Sequence, residues 1–141
     1  MPRRLKVAAA QMHSETGALD ANAEAHRHWI AMARAAGVDL LVFPELSLTG
    51  HYGAERLLDV ALLREDERLL ALSREAGDTR LVVGFVEEGP GAQFYNAAAV
   101  LRRGRLLYIH RKINLPSYGG LNETKHYAHG RFVDTHALGD D

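Results

Sequence analysis

The sequence contains no cysteine. That single lack removes disulfides, thiolate metal sites and a cysteine nucleophile from these residues. Charge of one sign is also missing. The formal net charge is −1, and "RRLK" at 3–6 and "RRGR" at 102–105 are the only basic runs, both short enough to be solvated turns or strand ends. A nucleic-acid binder would carry a clustered basic face. No apolar stretch approaches the ~20 residues that span a bilayer. The opening "MPRRLKVAAAQMHSE" turns polar too soon for a secretory signal. No internal repeat or low-complexity segment is present. These absences point to a cytoplasmic protein with neither nucleic acid nor membrane as partner.

What is present suits one globular domain. The chain has 141 residues, 47% hydrophobic and 25% charged, and near this length a fold buries about two thirds of its unfolded surface. "LKVAAAQM" (5–12) reads as a short buried strand. Asp20 is placed to cap a helix over 21–36, with Ala23, His26, Ile30, Ala33 and Trp29 facing inward and Gly37 ending it. "VDLLVF" (38–43) is apolar on both faces, as a central parallel strand covered on both sides must be. Residues 56–76 read as one or two helices, with Leu57, Leu58, Ala61, Leu62, Leu69, Leu72 and Ala76 forming the apolar stripe and Gly77 the stop. "RLVVGFVEE", "YNAAAVLRR" and "RLLYIHRK" are three extended segments joined by "GPGAQ" and the tight "RRGR", hence two hairpins. The order β-α-β-α-β-β-β predicts an α/β fold with a mixed sheet. Residues 114–141, rich in glycine and histidine, read as a loop and then the start of another strand.

Within this frame "LLVFPELSLTG" (40–50) is the odd stretch, because the most apolar segment runs straight into the carboxylate of Glu45. Burying a lone carboxylate costs several kcal/mol unless a partner or a raised pKa relieves it. Ligand sites in parallel sheets lie beyond the carboxyl ends of the strands. Glu45 leaves one strand at such an end, and Lys112 leaves the last strand in the same way. If the two strands run parallel, acid and ammonium converge. Spacing alone reads equally as a structural ion pair or as a working acid and cation, since both perturb pKa values.

Other candidates carry less. Ser47 lies two residues from Glu45 but lacks a GxSxG setting, so it reads as a loop-stabilising hydroxyl. His126 and His129, with His110 and His136, raise the question of zinc, yet no acidic or thiolate partner stands at metal-site spacing. They read as solvated or supporting histidines, and no metal is expected. Gly84, Gly89 and Gly91 form no phosphate loop, and "AQMHSETG" after the first strand supplies no phosphate turn, which leaves a nucleotide-binding domain unsupported.

The words around Glu45 and Lys112 resemble the nitrilase, or carbon–nitrogen hydrolase, superfamily. The matching residues are Pro44, Glu45, Leu48, Thr49 and Gly50, then Lys112, Leu115, Pro116, Tyr118, Gly119 and Glu123, with "VAAAQM" at the start and "FYNAAAV" around Asn96. They fall in the family's order along nearly the whole chain. The resemblance implies that Glu45 is the general base, that Lys112 stabilises the oxyanion, and that Glu123 supports the site and orients the lysine. It places Tyr52, Asn96 and Tyr118 at the substrate, which would be a small amide, nitrile or carbamoyl compound. It implies no metal or organic cofactor, and a thioester formed on a cysteine.

That cysteine follows a further strand in the family, and none is present here. His51 between Gly50 and Tyr52, and Lys125 where arginine is common, are smaller departures that bear on pocket shape. Residues 1–141 are therefore expected to be the N-terminal half of an α-β-β-α sandwich, inactive alone, and either homo-oligomeric or in need of a C-terminal half. The alternative is a non-catalytic module that keeps the carboxylate–ammonium pocket to bind a small amide or amine.

Overall fold

The computed structural model describes residues 4–51 and 56–138. Five strands form one sheet in the order β1-β2-β3-β4-β5: β1 Val7–Ala9, β2 Leu40–Val42, β3 Arg80–Gly89, β4 Gln93–Arg102 and β5 Arg105–Arg111. β1, β2 and β3 are parallel, whereas β4 and β5 return antiparallel. β5 thus runs in the direction of β2, the condition under which Glu45 and Lys112 leave the sheet at one end. The β4–β5 link is a two-residue hairpin with Arg103 and Gly104 at φ 49° and 76°, the doubly left-handed geometry that matches strand twist.

Helices α1 (Leu19–Ala35) and α3 (Glu67–Ala76) pack together on one face of the sheet, while the short α2 (Leu57–Val60) lies apart. Asp66 caps α3 by accepting from the Arg68 amide at 2.9 Å. Gly77 at φ 60° ends α3, and Gly37 at φ 65° follows the end of α1, both without a Cβ to clash. Alternate residues of β3 and β4, namely Leu81, Val83, Phe85, Ala97, Ala99 and Leu101, meet Ile30, Leu69 and Leu72 in the main core. Each fully buried side chain of this size stabilises the fold by about 1.5–3 kcal/mol.

The cross-strand neighbours Val42, Val82, Val100 and Tyr108 point the other way and stay partly open. The far end of that face is covered, where Leu46, Leu57, Val60, Val86, Leu115 and Tyr127 form a second, smaller cluster.

Several expectations are corrected. The helix begins at Leu19, so Asp20 lies in its first turn and Ala18 takes the cap position without a side-chain bond. Leu58 is 80% exposed. Leu62 belongs to no helix but bridges β3 in parallel, its amide donating to Val86 O at 2.9 Å. Residues 131–138 form no strand. The expected inward face of α1 is found, with Ala23, His26, Ile30 and Ala33 buried, Asn22 added to them, and Trp29 partly buried. Among the described residues, no helix is long and apolar enough to cross a membrane.

Candidate functional site

The turn after β2 presents Glu45, and nearly every part of it is tied down. Phe43 N donates to Val82 O at 2.9 Å, Ser47 N to Pro44 O at 3.2 Å, Leu48 N to Gly84 O at 2.9 Å and Gly50 N to Leu46 O at 2.7 Å. Side chains finish the work: Ser14 Oγ donates to Ser47 O at 2.7 Å, Asn22 Nδ2 to Leu48 O at 3.0 Å, and the Val86 amide to Thr49 Oγ1 at 3.2 Å. Residues 46–50 are all buried. Such complete pairing holds Leu46 at φ 51°, a left-handed conformation that costs a leucine about 1–2 kcal/mol. Gly50, at φ 78°, faces Thr16 and Glu15 so closely that a Cβ would lie 2.8 Å from Thr16 Cα.

Lys112 follows β5 directly, its amide donating to Asn96 O at 2.8 Å. Its Nζ donates to Glu45 Oε1 at 2.7 Å and to Glu123 Oε1 at 3.3 Å, with Glu123 Oε2 3.1 Å away. Asn96 Nδ2 donates to the same Glu45 oxygen at 2.6 Å. One ammonium therefore sits between two carboxylates. Glu123 is held by its own amide donating to Pro116 O at 3.0 Å.

The electrostatics follow from this geometry. Burial pushes the Glu45 carboxyl up, but hydrogen bonds from Lys112 and Asn96, with the Lys112 and His51 charges behind them, outweigh it and leave it below the ordinary glutamate value. Burial would lower the Lys112 ammonium, yet Glu45 and Glu123 hold it above the ordinary lysine value. Burial, then the charges of Glu123 and Glu45, push the Tyr127 phenol up to about 12. At neutral pH the trio is thus a carboxylate, an ammonium and a second carboxyl group in contact. It can accept a proton at Glu45 and offer positive charge at Lys112.

A shallow cavity of about 200 Å³ opens beside the trio, lined by Pro44, Glu45, Val82, Gly84, Asn96, Ala98, His110 and Lys112 among others. Its floor is the partly open sheet face. Of the residues expected at a substrate, Asn96 lines this cavity and Tyr118 does not, being 74% exposed on the loop after β5. Tyr52 lies outside the described residues.

The histidines do not gather. His129 Nδ1 is 2.7 Å from Ile113 O, and His136 stacks on Tyr108 with ring centroids 6.0 Å apart. Among the described residues no group of three metal-ligating side chains comes together.

Two features escaped the sequence reading. Glu87, 1% exposed, accepts a forked pair of bonds from Arg111 at 2.7 and 2.8 Å, and Arg111 lies over the Tyr95 ring at 4.0 Å. This clamp joins β3 to β5 one residue before Lys112. The other is the contact by which His26, expected only as an inward-facing residue, reaches the Glu45 turn through Ser47. An arginine next to Lys112 and a polar residue on the apolar stripe of α1 were the available signals.

Comparison with known proteins agrees with this layout. A model of the carbon–nitrogen hydrolase family matches residues 6–139. A glutamine-dependent NAD(+) synthetase from Thermotoga maritima is 36% identical over 132 residues, which are 91% of this chain and 22% of that protein. The solved glutamine-dependent NAD+ synthetase from Acinetobacter baumannii superposes with a TM-score of 0.79 at 33% identity, covering 95% of this chain and 26% of the other. An amidase from Nesterenkonia sp. shares the fold, with a TM-score of 0.75 at 24% identity over 91% of this chain and 49% of its own. The chain thus spans only about a quarter of the synthetases it matches.

Proposed function

The chain belongs to the carbon–nitrogen hydrolase family, and from that premise we propose that residues 1–141 supply the base and the cation of an amide-hydrolysing site. The observation that carries the proposal is the Lys112 ammonium held between Glu45 and Glu123. In this reading the Glu45 carboxylate takes the proton of a thiol, and the thiolate attacks the amide carbonyl. Negative charge then develops on the carbonyl oxygen beside Lys112 Nζ. Glu45 returns the proton to the departing ammonia, and the resulting thioester is hydrolysed by a water that Glu45 deprotonates. Glu123 keeps Lys112 extended toward the site. The thiol comes from outside these residues, which contain no cysteine.

The names of the synthetase relatives support the side-chain amide of glutamine as substrate over a nitrile or a carbamoyl compound. A thiol-dependent site also suits a reducing, cytoplasmic setting. The partly open sheet face is where the second layer of a sandwich, the C-terminal half that carries the cysteine, would pack.

The test joins this chain to a cysteine-bearing segment from such a relative and measures ammonia release from glutamine. The bare chain is expected to release none and the joined chain to turn over. Glu45→Gln should lower the rate of the joined chain by about 10²–10⁴. Turnover indifferent to Glu45→Gln would overturn the proposal.

The absence of cysteine also favours a second reading, a binding module that retains the carboxylate–ammonium pocket. Calorimetry with acetamide and glutamine separates the two. Binding to the bare chain that Glu45→Gln abolishes, together with an inert joined chain, would select the module.

A further inference from the structure

We propose that His26 and Ser47 form a positioning element for Glu45, reaching its turn from the helix-covered side of the sheet. The proposal rests on the reading of Glu45 as the working carboxylate. His26 is fully buried in α1, with its ring against Phe43 at a centroid distance of 4.2 Å. His26 Nδ1 lies 2.7 Å from Asn22 O. A carbonyl oxygen can only accept, so Nδ1 carries the ring proton and Nε2 is left bare. Ser47 Oγ, 3.0 Å from Nε2, must then donate to it. The hydroxyl's other acceptor, Gly84 O, is at 3.5 Å and is the weaker partner.

Packing alone does not ask for this arrangement. An apolar side chain would fill the same position on α1 without placing two ring nitrogens in the core, where each needs a partner. The imidazole fits because Ser47 meets it with a hydroxyl. Ser47 and Glu45 flank Leu46, whose left-handed φ of 51° is the strained point of the turn. The backbone bonds of the turn remain when Ser47 Oγ is released, but the brace beside Leu46 is lost, and a small shift there moves the preceding Glu45 relative to Lys112 and Asn96. The lowered carboxyl of Glu45, which depends on those two contacts, reports the displacement.

The experiment follows the Glu45 side-chain carboxyl by ¹³C NMR titration in the 141-residue chain. Ser47→Ala and His26→Leu are each expected to raise its pKa by about half a unit, a threefold change in acid constant. His26→Gln, which keeps an acceptor and a donor, should restore part of the shift. Lys112→Met serves as reference. If it leaves Glu45 unmoved, the carboxylate–ammonium reading itself fails. If it moves Glu45 while Ser47→Ala does not, the positioning role alone is overturned, even where both variants melt earlier. Should the variants fail to fold, ¹⁵N spectra of the unaltered chain decide. A protonated Nδ1 with a bare Nε2 at neutral pH supports the pair, and the opposite tautomer overturns it.

Discussion

A Cβ built on Gly84 would lie 2.5 Å from the Leu46 amide nitrogen and 2.6 Å from Pro44 O. The middle of β3 thus has to be bare for the Glu45 turn to sit on it. The same contact lets Leu48 N reach Gly84 O at 2.9 Å. Glycine inside a strand weakens it, and one accepted reason is the close approach of another backbone.

Gly84→Ala should therefore destabilise the fold by about 1–3 kcal/mol, the usual cost of overpacking, because both clashing atoms are backbone and cannot swing aside. Thermal melts of the variant measure this. The same variant should loosen Glu45 from Lys112, seen as a rise in the Glu45 pKa. A melting temperature equal to that of the parent would show that the turn is free to lift.

The Glu45–Lys112 bond makes a modest, pH-dependent contribution. The folded carboxyl lies below its ordinary value, so its stabilisation is present above the unfolded glutamate pKa of about 4.3 and is lost as pH falls below it. Lys112 has the opposite sign. Its folded pKa is raised, so its stabilisation holds below the ordinary lysine value and disappears as pH climbs through the folded one. With the Glu45 side chain 46% exposed, solvent screening limits the pair to about 0.5–1 kcal/mol. Urea titrations of Glu45→Gln should differ from the parent more at pH 7 than at pH 3.

Much of this was legible in the sequence, for identifiable reasons. The order of elements along the chain followed from apolar runs broken by Gly37, Gly77 and the "RRGR" turn. The meeting of Glu45 with Lys112 followed from two strands that end alike, on the condition that they run parallel. Glu123 as the second acid came only from the resemblance to the carbon–nitrogen hydrolase family. What was not legible depends on three-dimensional neighbours. Asn96 read as a residue at the substrate, and it lines the cavity there, but its bond to Glu45 at 2.6 Å was not foreseen. Leu58 continued a helical stripe on paper, but the helix there is only Leu57–Val60 and its outer side faces solvent. Gly84 registered only as a missing phosphate loop, since nothing local says that another backbone lies on top of it.

His26 predicts a second pH dependence. Burial pushes its imidazole down to about 4 from 6.5, only partly opposed by the bond to Asn22. Its folded pKa is below its unfolded one, so the unfolded chain binds the extra proton first. Stability is then full above about pH 6.5, declines as pH falls toward about 4, and loses about 3 kcal/mol across that window. Denaturant midpoints from pH 7.5 to 4 measure the slope, and His26→Leu should flatten it. An unchanged slope in that variant would assign the acid sensitivity to other groups.

The last expectation concerns the sheet face turned away from α1 and α3. Val42, Val82, Val100 and Tyr108 stand side by side across four strands there, only half-buried. Covering the half of each that is still open would contribute about 1 kcal/mol per side chain, and an apolar patch of this kind on an isolated chain drives association. The 141-residue chain should therefore sediment as dimers or larger species at tens of micromolar. Val82→Lys together with Val100→Lys should yield a monomer with unchanged helical circular dichroism, because both side chains leave the sheet opposite the helices. A parent chain that already sediments as a monomer and melts cooperatively would show that this face needs no cover, and the half-sandwich reading would fall with it.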